Sequence, residues 1–201
     1  MVRAGGIPHL HSIVPDDKDM LAAAVLEAVE ESDFVVTSGG ASNGDFDYIQ
    51  QVVKEQGELF IDFVNMRPGK AQTFGLVKNT PVFGLSGNPA AAYCGFEILV
   101  RPALRKMQGY ATFDRPRVWA RLSRDMKKKD SRRIYLRSTL ERLDDGSLQV
   151  RPAKSQSSGL FSPFQSGNCL AILPEGSSLQ EVEAGTLVEC LLLDVDEGVV
   201  I

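Results

Sequence analysis

Three short segments hold residue types that can do chemistry on an anion: "TSGGASNGDFD" at 37–47, "RPGK" at 67–70 and "LSGNP" at 85–89. In the first, Ser38, Gly39, Gly40, Ser42 and Gly44 form a loop whose glycines adopt backbone angles closed to other residues, so consecutive amides can point inward. The apolar spacing of Phe46, Ile49, Val52 and Val53 predicts a helix directly after it, whose N-terminus adds partial positive charge. Such a loop can hold an anion. It matches neither G-x-x-x-x-G-K-[ST] nor G-x-G-x-x-G. Asp45 and Asp47 repel a bare phosphate, so they call for a bridging divalent cation or a base, and Asp45 serves equally well as the helix cap. Asp47 lies past the cap position and is the better candidate for chemistry.

In the second segment Arg67 and Lys70 flank Pro68 and Gly69, a rigid bend with two cations that otherwise reads as a surface turn. In the third, Asn88 is a preferred N-cap and Pro89 fits the first helical position, so Ser86–Pro89 is either an anion-binding helix start or an ordinary capped one. Loops at strand ends of an α/β domain can converge on one crevice. Three glycine turns therefore point to a phosphate or oxyanion site.

The elements that must position these turns alternate between helix and strand from residue 17 to 109. Asp17 caps a helix with Leu21, Ala24, Val25 and Ala28 on its apolar face, and "DFVVTS" reads as a strand. Strands follow at "ELFIDFVNM", "AQTFGLV" and "TPVFGLS"; pairing of the last two as a hairpin makes the sheet mixed. A long helix then runs from Asn88 to Gly109 with Tyr93, Phe96, Leu99, Val100, Ala103, Leu104 and Met107 as its buried stripe. Pro102 removes the amide that would bond the Ile98 carbonyl, which predicts a kink. Beyond residues 110–116 five short strands predict a small antiparallel sheet or barrel. The segment "DMKKKDSRR" reads as a solvated hairpin tip carrying three lysines. "SQSSGLFSPFQSG" is long for a hairpin and is a candidate functional loop.

Composition limits the partners. The 201 residues carry a formal charge of −4 with 43% hydrophobic residues, so a nucleic-acid polyanion meets no overall attraction. The absence of a membrane-length apolar run or a secretion-signal core makes the cytoplasm the expected compartment, with no membrane partner. Cys94, Cys169 and Cys190 fit neither a disulfide framework nor a zinc site and read as reduced core residues. His9 and His11 can share a strand face, but with no evident third ligand they read as surface residues.

The order "TSGGASNGDFDY", "MRPGKAQTFG", "VFGLSGNPAAAYCGFEILVRPALRKMQG" resembles the molybdopterin molybdenumtransferases over nearly the whole chain. The resemblance implies an α/β, three-layer molybdopterin-binding domain with a mostly parallel or mixed sheet over residues 1–112, lacking its first strand and helix. A small all-β barrel domain over 113–201 follows. It implies a homodimer that inserts molybdate into adenylylated molybdopterin and releases AMP with Mg2+. On that reading the loop from Ser38 to Gly44 cradles the pterin or its phosphates, and Asp47 takes the acidic, metal-binding position needed for activity, with Asp45 beside it. Lys70 with Pro68 and Gly69 matches the family's "KPGKP", and Ser86, Gly87, Asn88 and Pro89 match its "PGNP". Arg137, Ser157 and Ser158 take the places of the barrel arginine and serines near the oxyanion. Two departures stand out: "KPGKP" has become "RPGKA", and "LPGNP" has become "LSGNP". Arginine keeps the charge but turns a point into a fork. The family's enzymes carry further domains before this region and close the site between subunits. A pterin- or molybdate-binding or dimerising scaffold without catalysis is therefore the alternative reading. A molybdopterin adenylyltransferase is a further one, against which the appended barrel argues.

Overall fold

The computed structural model describes residues 1–39, 48–157, 159–160, 162–177 and 180–195. The chain forms two compact units, one of Met1–Val64 with Gly69–Ala111 and one of Asn65–Pro68 with Thr112–Ile201.

After a 3-10 turn at Val2–Ala4, the first unit continues with α1 (Lys18–Glu31), where the Asp17 carboxylate accepts a hydrogen bond from the Met20 amide at 2.9 Å. That satisfies one of the amides a helix start leaves open. Then come β1 (Val35–Ser38), α2 (Tyr48–Gln56) and β2 (Gly57–Ile61). The two-residue β3 (Met66–Arg67) belongs to the second unit, and β4 (Thr73–Val77) and β5 (Thr80–Leu85) return to the first. The sheet order is β1-β5-β4-β2, with β1 parallel to β5 and the other two pairings antiparallel. The sheet is therefore mixed, because β4 and β5 form a tight hairpin through Lys78 and Asn79, both at positive φ.

Helices cover both faces. Val25, Ala28 and Val29 of α1 and Ile49, Val52 and Val53 of α2 pack on Val35, Val77 and Val82. Each such valine or isoleucine burial contributes about 1.5–3 kcal/mol. On the other face Phe83, Leu85 and Val100 gather Phe34, Phe74, Phe96, Leu99 and Ala103, with the Phe74 and Phe83 rings stacked at 4.5 Å. That layer comes from α3 (Pro89–Gly95), a π-helical turn (Phe96–Val100) and α4 (Arg101–Met107). The expected irregularity at Pro102 takes the form of this wide turn just before it, in which the Arg101 amide bonds the Phe96 carbonyl. Met107 does not join the buried stripe; it is 49% exposed at the helix end, past the last turn that faces the sheet.

The second unit contains β6 (Arg117–Leu122), β7 (Met126–Lys128), β8 (Arg133–Arg142), β9 (Leu148–Pro152), α5 (Ser162–Ser166), β10 (Cys169–Leu173), β11 (Gln180–Val182) and β12 (Leu187–Leu192). Strands pair in the order β10-β12-β6-β9-β8, and β8 also pairs β10, which closes a five-stranded barrel. Closure removes the free edges of a small sheet. Alternate residues turn inward: Ala120, Leu122, Ile134, Leu136, Val150, Ala171, Leu173, Val188 and Leu192, with Cys169 and Cys190, form the core. All three cysteines are buried and none forms a disulfide. The pairing is not wholly antiparallel, since β6 runs parallel to β9 and β3 parallel to β8.

The expectation of a solvated lysine tip at 125–133 fails at its centre. Met126–Lys128 pairs with Gln180–Val182 in a separate two-stranded ribbon. Lys128 is only 2% exposed, and its ammonium donates to the Pro174 carbonyl. The aliphatic stem is buried and the charge is met by a backbone acceptor.

Candidate functional site

The first unit brings two of the three glycine turns together. Beyond β1, Gly39 sits at φ 97° and its amide donates to the Leu85 carbonyl at 3.1 Å, which pins the start of the glycine loop to the end of β5. A side chain is disfavoured at that angle. The next turn of the chain after β5, at Ser86–Asn88, lies against it: a β-carbon on Gly87 would stand 3.2 Å from the Gly39 Cα. Ser86 Oγ accepts the Asn88 amide at 3.3 Å, a local turn lock that a proline at this position could not make. Asn88 is the N-cap residue of α3 and Pro89 its first helical residue. The cap acts through the backbone, with the Ala92 amide donating to the Asn88 carbonyl at 2.8 Å, and the Asn88 side chain makes no cap bond.

The third turn meets the same helix start. Gly69 is at φ 93°, and a β-carbon there would lie 3.2 Å from the Ala91 carbonyl and 2.6 Å from the Gln72 amide nitrogen. Gln72, fully buried, donates through Nε2 to the carbonyls of Gly69 at 3.2 Å and Ala91 at 3.3 Å. It ties the "RPGK" turn to the first turn of α3. Gly95 leaves it room, because a β-carbon there would come within 2.6 Å of Gln72 Oε1. The sequence reading missed Gln72; the available signal was a glutamine followed by Thr73 at the entrance to an otherwise apolar strand. Lys70 is exposed beside this turn, with its carbonyl accepting the Val64 amide at 2.9 Å. Ser38, Gly39, Gly69, Lys70, Ser86, Gly87, Asn88 and Pro89 all belong to this one unit.

Other candidates fall elsewhere. Gly40, Ser42, Gly44, Asp45, Asp47 and Ser158 lie outside the described residues. Arg67 and Pro68 belong to the second unit, and the Arg67–Pro68 peptide is cis. Arg67 pairs with Asp130 at 3.3 Å, so the two cations of "RPGK" have different surroundings. Asp130 also takes the Arg132 Nε at 2.8 Å and the Arg132 amide at 3.0 Å. Hydrogen bonds from Arg132, reinforced by its charge and that of Arg67, hold the Asp130 carboxyl well below the usual carboxylate range.

Arg137 is 1% exposed, and its Nη1 donates to the carbonyls of Ser157 at 3.0 Å and Leu160 at 2.8 Å. Gln156 Oε1 accepts from the Arg137 amide at 3.1 Å, and Phe164 lies under the guanidinium at 5.5 Å. Arg137 thus holds Gln156, Ser157 and Leu160 from within, and Ser157 is exposed.

For a divalent cation, among the described residues no group of three or more His, Cys, Asp or Glu side chains could hold one. His9 and His11 are exposed on an irregular segment.

A family model described as a probable molybdopterin binding domain matches residues 1–106, and one described as the MoeA C-terminal region (domain IV) matches residues 119–193. The chain belongs to the molybdopterin molybdenumtransferase family. Among the family's curated members, the molybdopterin molybdenumtransferase of Staphylococcus aureus (strain COL) is 35% identical over 90% of this chain and 43% of its own length. That of Bacillus subtilis (strain 168) is 31% identical over 98% of this chain and 45% of its own length. Among solved structures, a molybdopterin biosynthesis MoeA protein from Pyrococcus horikosii superposes with a TM-score of 0.73 at 29% identity, over 92% of this chain and 43% of that one. A molybdenum cofactor biosynthesis protein from Pyrococcus furiosus gives 0.71 at 26% identity, over 95% of this chain and 60% of that one. The chain spans less than half the length of these two curated relatives. No helix among the described residues is long and apolar enough to cross a membrane.

Proposed function

We propose that this chain carries the pterin-phosphate and molybdate side of a molybdenumtransferase site and inserts molybdate into adenylylated molybdopterin with release of AMP. The observation that supports the reading is the meeting of the Gly39 and Gly87 turns at the ends of β1 and β5, with the Gly69–Lys70 turn tied by Gln72 to the same helix start. Backbone amides in such turns are fixed donors for an oxyanion, and preorganised donors need no rearrangement when charge develops.

In this proposal Ser38, Gly39, Gly40, Ser42 and Gly44 bind the pterin phosphate, while Lys70 brings a point charge to the oxyanion. Pro68 and Gly69 shape the turn that carries Lys70. Ser86, Gly87, Asn88 and Pro89 line the molybdate side. Asp47, with Asp45 beside it, holds the Mg2+ that neutralises phosphate charge when bound. Arg137, Ser157 and Ser158 of the second unit are the oxyanion-binding arginine and serines in this proposal. The protein works in the cytoplasm as a homodimer on small-molecule substrates.

A second reading is a pterin- or molybdate-binding chain that does not turn over. Titration calorimetry with molybdate together with an assay of AMP release separates the two. Molybdate-dependent release supports the transferase, whereas saturable binding without release supports the binding chain.

A further inference from the structure

Gln72 stands at the junction of the three turns. It immediately precedes Thr73, the first residue of β4, which pairs with Gly84 of β5. One residue beyond Gly84, the Leu85 carbonyl holds the Gly39 amide, so Gln72 lies level with the place where the Gly39 and Gly87 turns meet. Its carboxamide is held between two glycines. A β-carbon on Gly69 would be 2.6 Å from Nε2, and one on Gly95 would be 2.6 Å from Oε1. The "RPGK" turn and the end of α3 thus leave a slot the size of one amide group.

The bonding of that amide is one-sided. Nε2 donates to the carbonyls of Gly69 and Ala91 at 3.2 and 3.3 Å, whereas the buried Oε1 has no partner among the described residues. An unmet acceptor costs free energy that a buried methionine or leucine of similar bulk would not. Fold stability alone therefore does not account for a glutamine here. What the amide supplies is a fixed link, because a single nitrogen holds the carbonyl just before Lys70 and that of Ala91, the third residue of α3. The Lys70 carbonyl, which accepts the Val64 amide at 2.9 Å, closes the turn but does not tie it to α3.

We infer that Gln72 is a positioning residue of the oxyanion site, holding Lys70 at a fixed distance from the Ser86–Asn88 turn that leads into α3, a role that rests on the molybdate-binding reading of the site. Lysine presents a compact charge on a flexible four-carbon stem, so its pull on a bound oxyanion depends on where its backbone is anchored. Gln72 is fully buried, so it reaches no substrate and acts through Lys70.

The test is a double-mutant cycle on the full chain. Molybdate titration calorimetry and amide hydrogen exchange at Val64 are measured for wild type, Gln72→Leu, Lys70→Ala and the double variant. Gln72→Leu is expected to weaken molybdate binding about tenfold, to speed Val64 exchange, and to cause no further loss of affinity once Lys70 is alanine. Gln72→Met, which fills the slot with a flexible side chain lacking donors, should show the same pattern and replaces the leucine variant if that one fails to fold. Wild-type affinity in either folded variant overturns the inference. So does an equal loss with and without Lys70, which assigns Gln72 to the fold alone. A wild-type chain that binds no molybdate contradicts the oxyanion reading and takes this role with it. Unchanged Val64 exchange in the Gln72 variants contradicts the link itself, whatever the chain binds.

Discussion

A β-carbon on Gly87 would stand 3.2 Å from the Cα of Gly39, so two turns far apart in the sequence form one wall of the first unit. Gly87→Val puts a branched side chain into that wall and must push the Gly39 turn aside. The expected result is at least about a tenfold loss of molybdate affinity, equivalent to roughly 1.4 kcal/mol. Calorimetric titration checks it, with circular dichroism reporting an intact fold.

Gly39→Ala tests backbone conformation at the same wall. Nothing crowds a β-carbon there, yet φ 97° is strained for any L side chain. A loss of about 1–2 kcal/mol of stability is expected in urea unfolding.

Gln72→Leu keeps the bulk but removes both hydrogen bonds to the Gly69 and Ala91 carbonyls. Destabilisation of roughly 1–3 kcal/mol is expected. Lys70→Ala should leave stability unchanged while weakening molybdate or pyrophosphate binding by about tenfold. If both variants bind as the wild type does, the "RPGK" turn is only a surface turn.

The ion cluster at Asp130 predicts a pH signature in the second unit. Arg132 first, and then Arg67, depress the Asp130 pKa in the folded chain. A depressed carboxylate stabilises the fold above its unfolded value of about 3.9 and loses that contribution as pH falls through the folded value. Asp130→Asn should therefore be less stable than wild type at neutral pH, with the difference shrinking below roughly pH 4. Thermal melts of both proteins across pH 2–7 measure this.

Much of the architecture was legible because it depends on short-range pattern. The run of short strands separated by turns, among them "RVWARLS", "RIYLRSTLE" and "TLVECLLLD", marked barrel strands, and the short connection between "TFGLV" and "TPVFGL" marked a hairpin. What escaped depends on distant partners. Lys128 reads as solvated until β11, far along the chain, pairs with its strand and Pro174 accepts its charge. Arg67 looks like a ligand cation until Asp130 meets it. The buried Arg137 shows the same limit: residue type announced a cation, but only the fold reveals that loop carbonyls occupy its guanidinium. The glycine turns were identifiable as motifs, and their convergence is a property of the sheet order.

The central claim is tested most directly by AMP release from adenylylated molybdopterin, using the purified 201-residue chain and its Asp47→Ala variant with Mg2+, with and without molybdate. The account predicts release by the wild-type chain that rises with molybdate and disappears in the variant while the variant's fold is retained. Absence of molybdate-dependent release from the wild-type chain would contradict it.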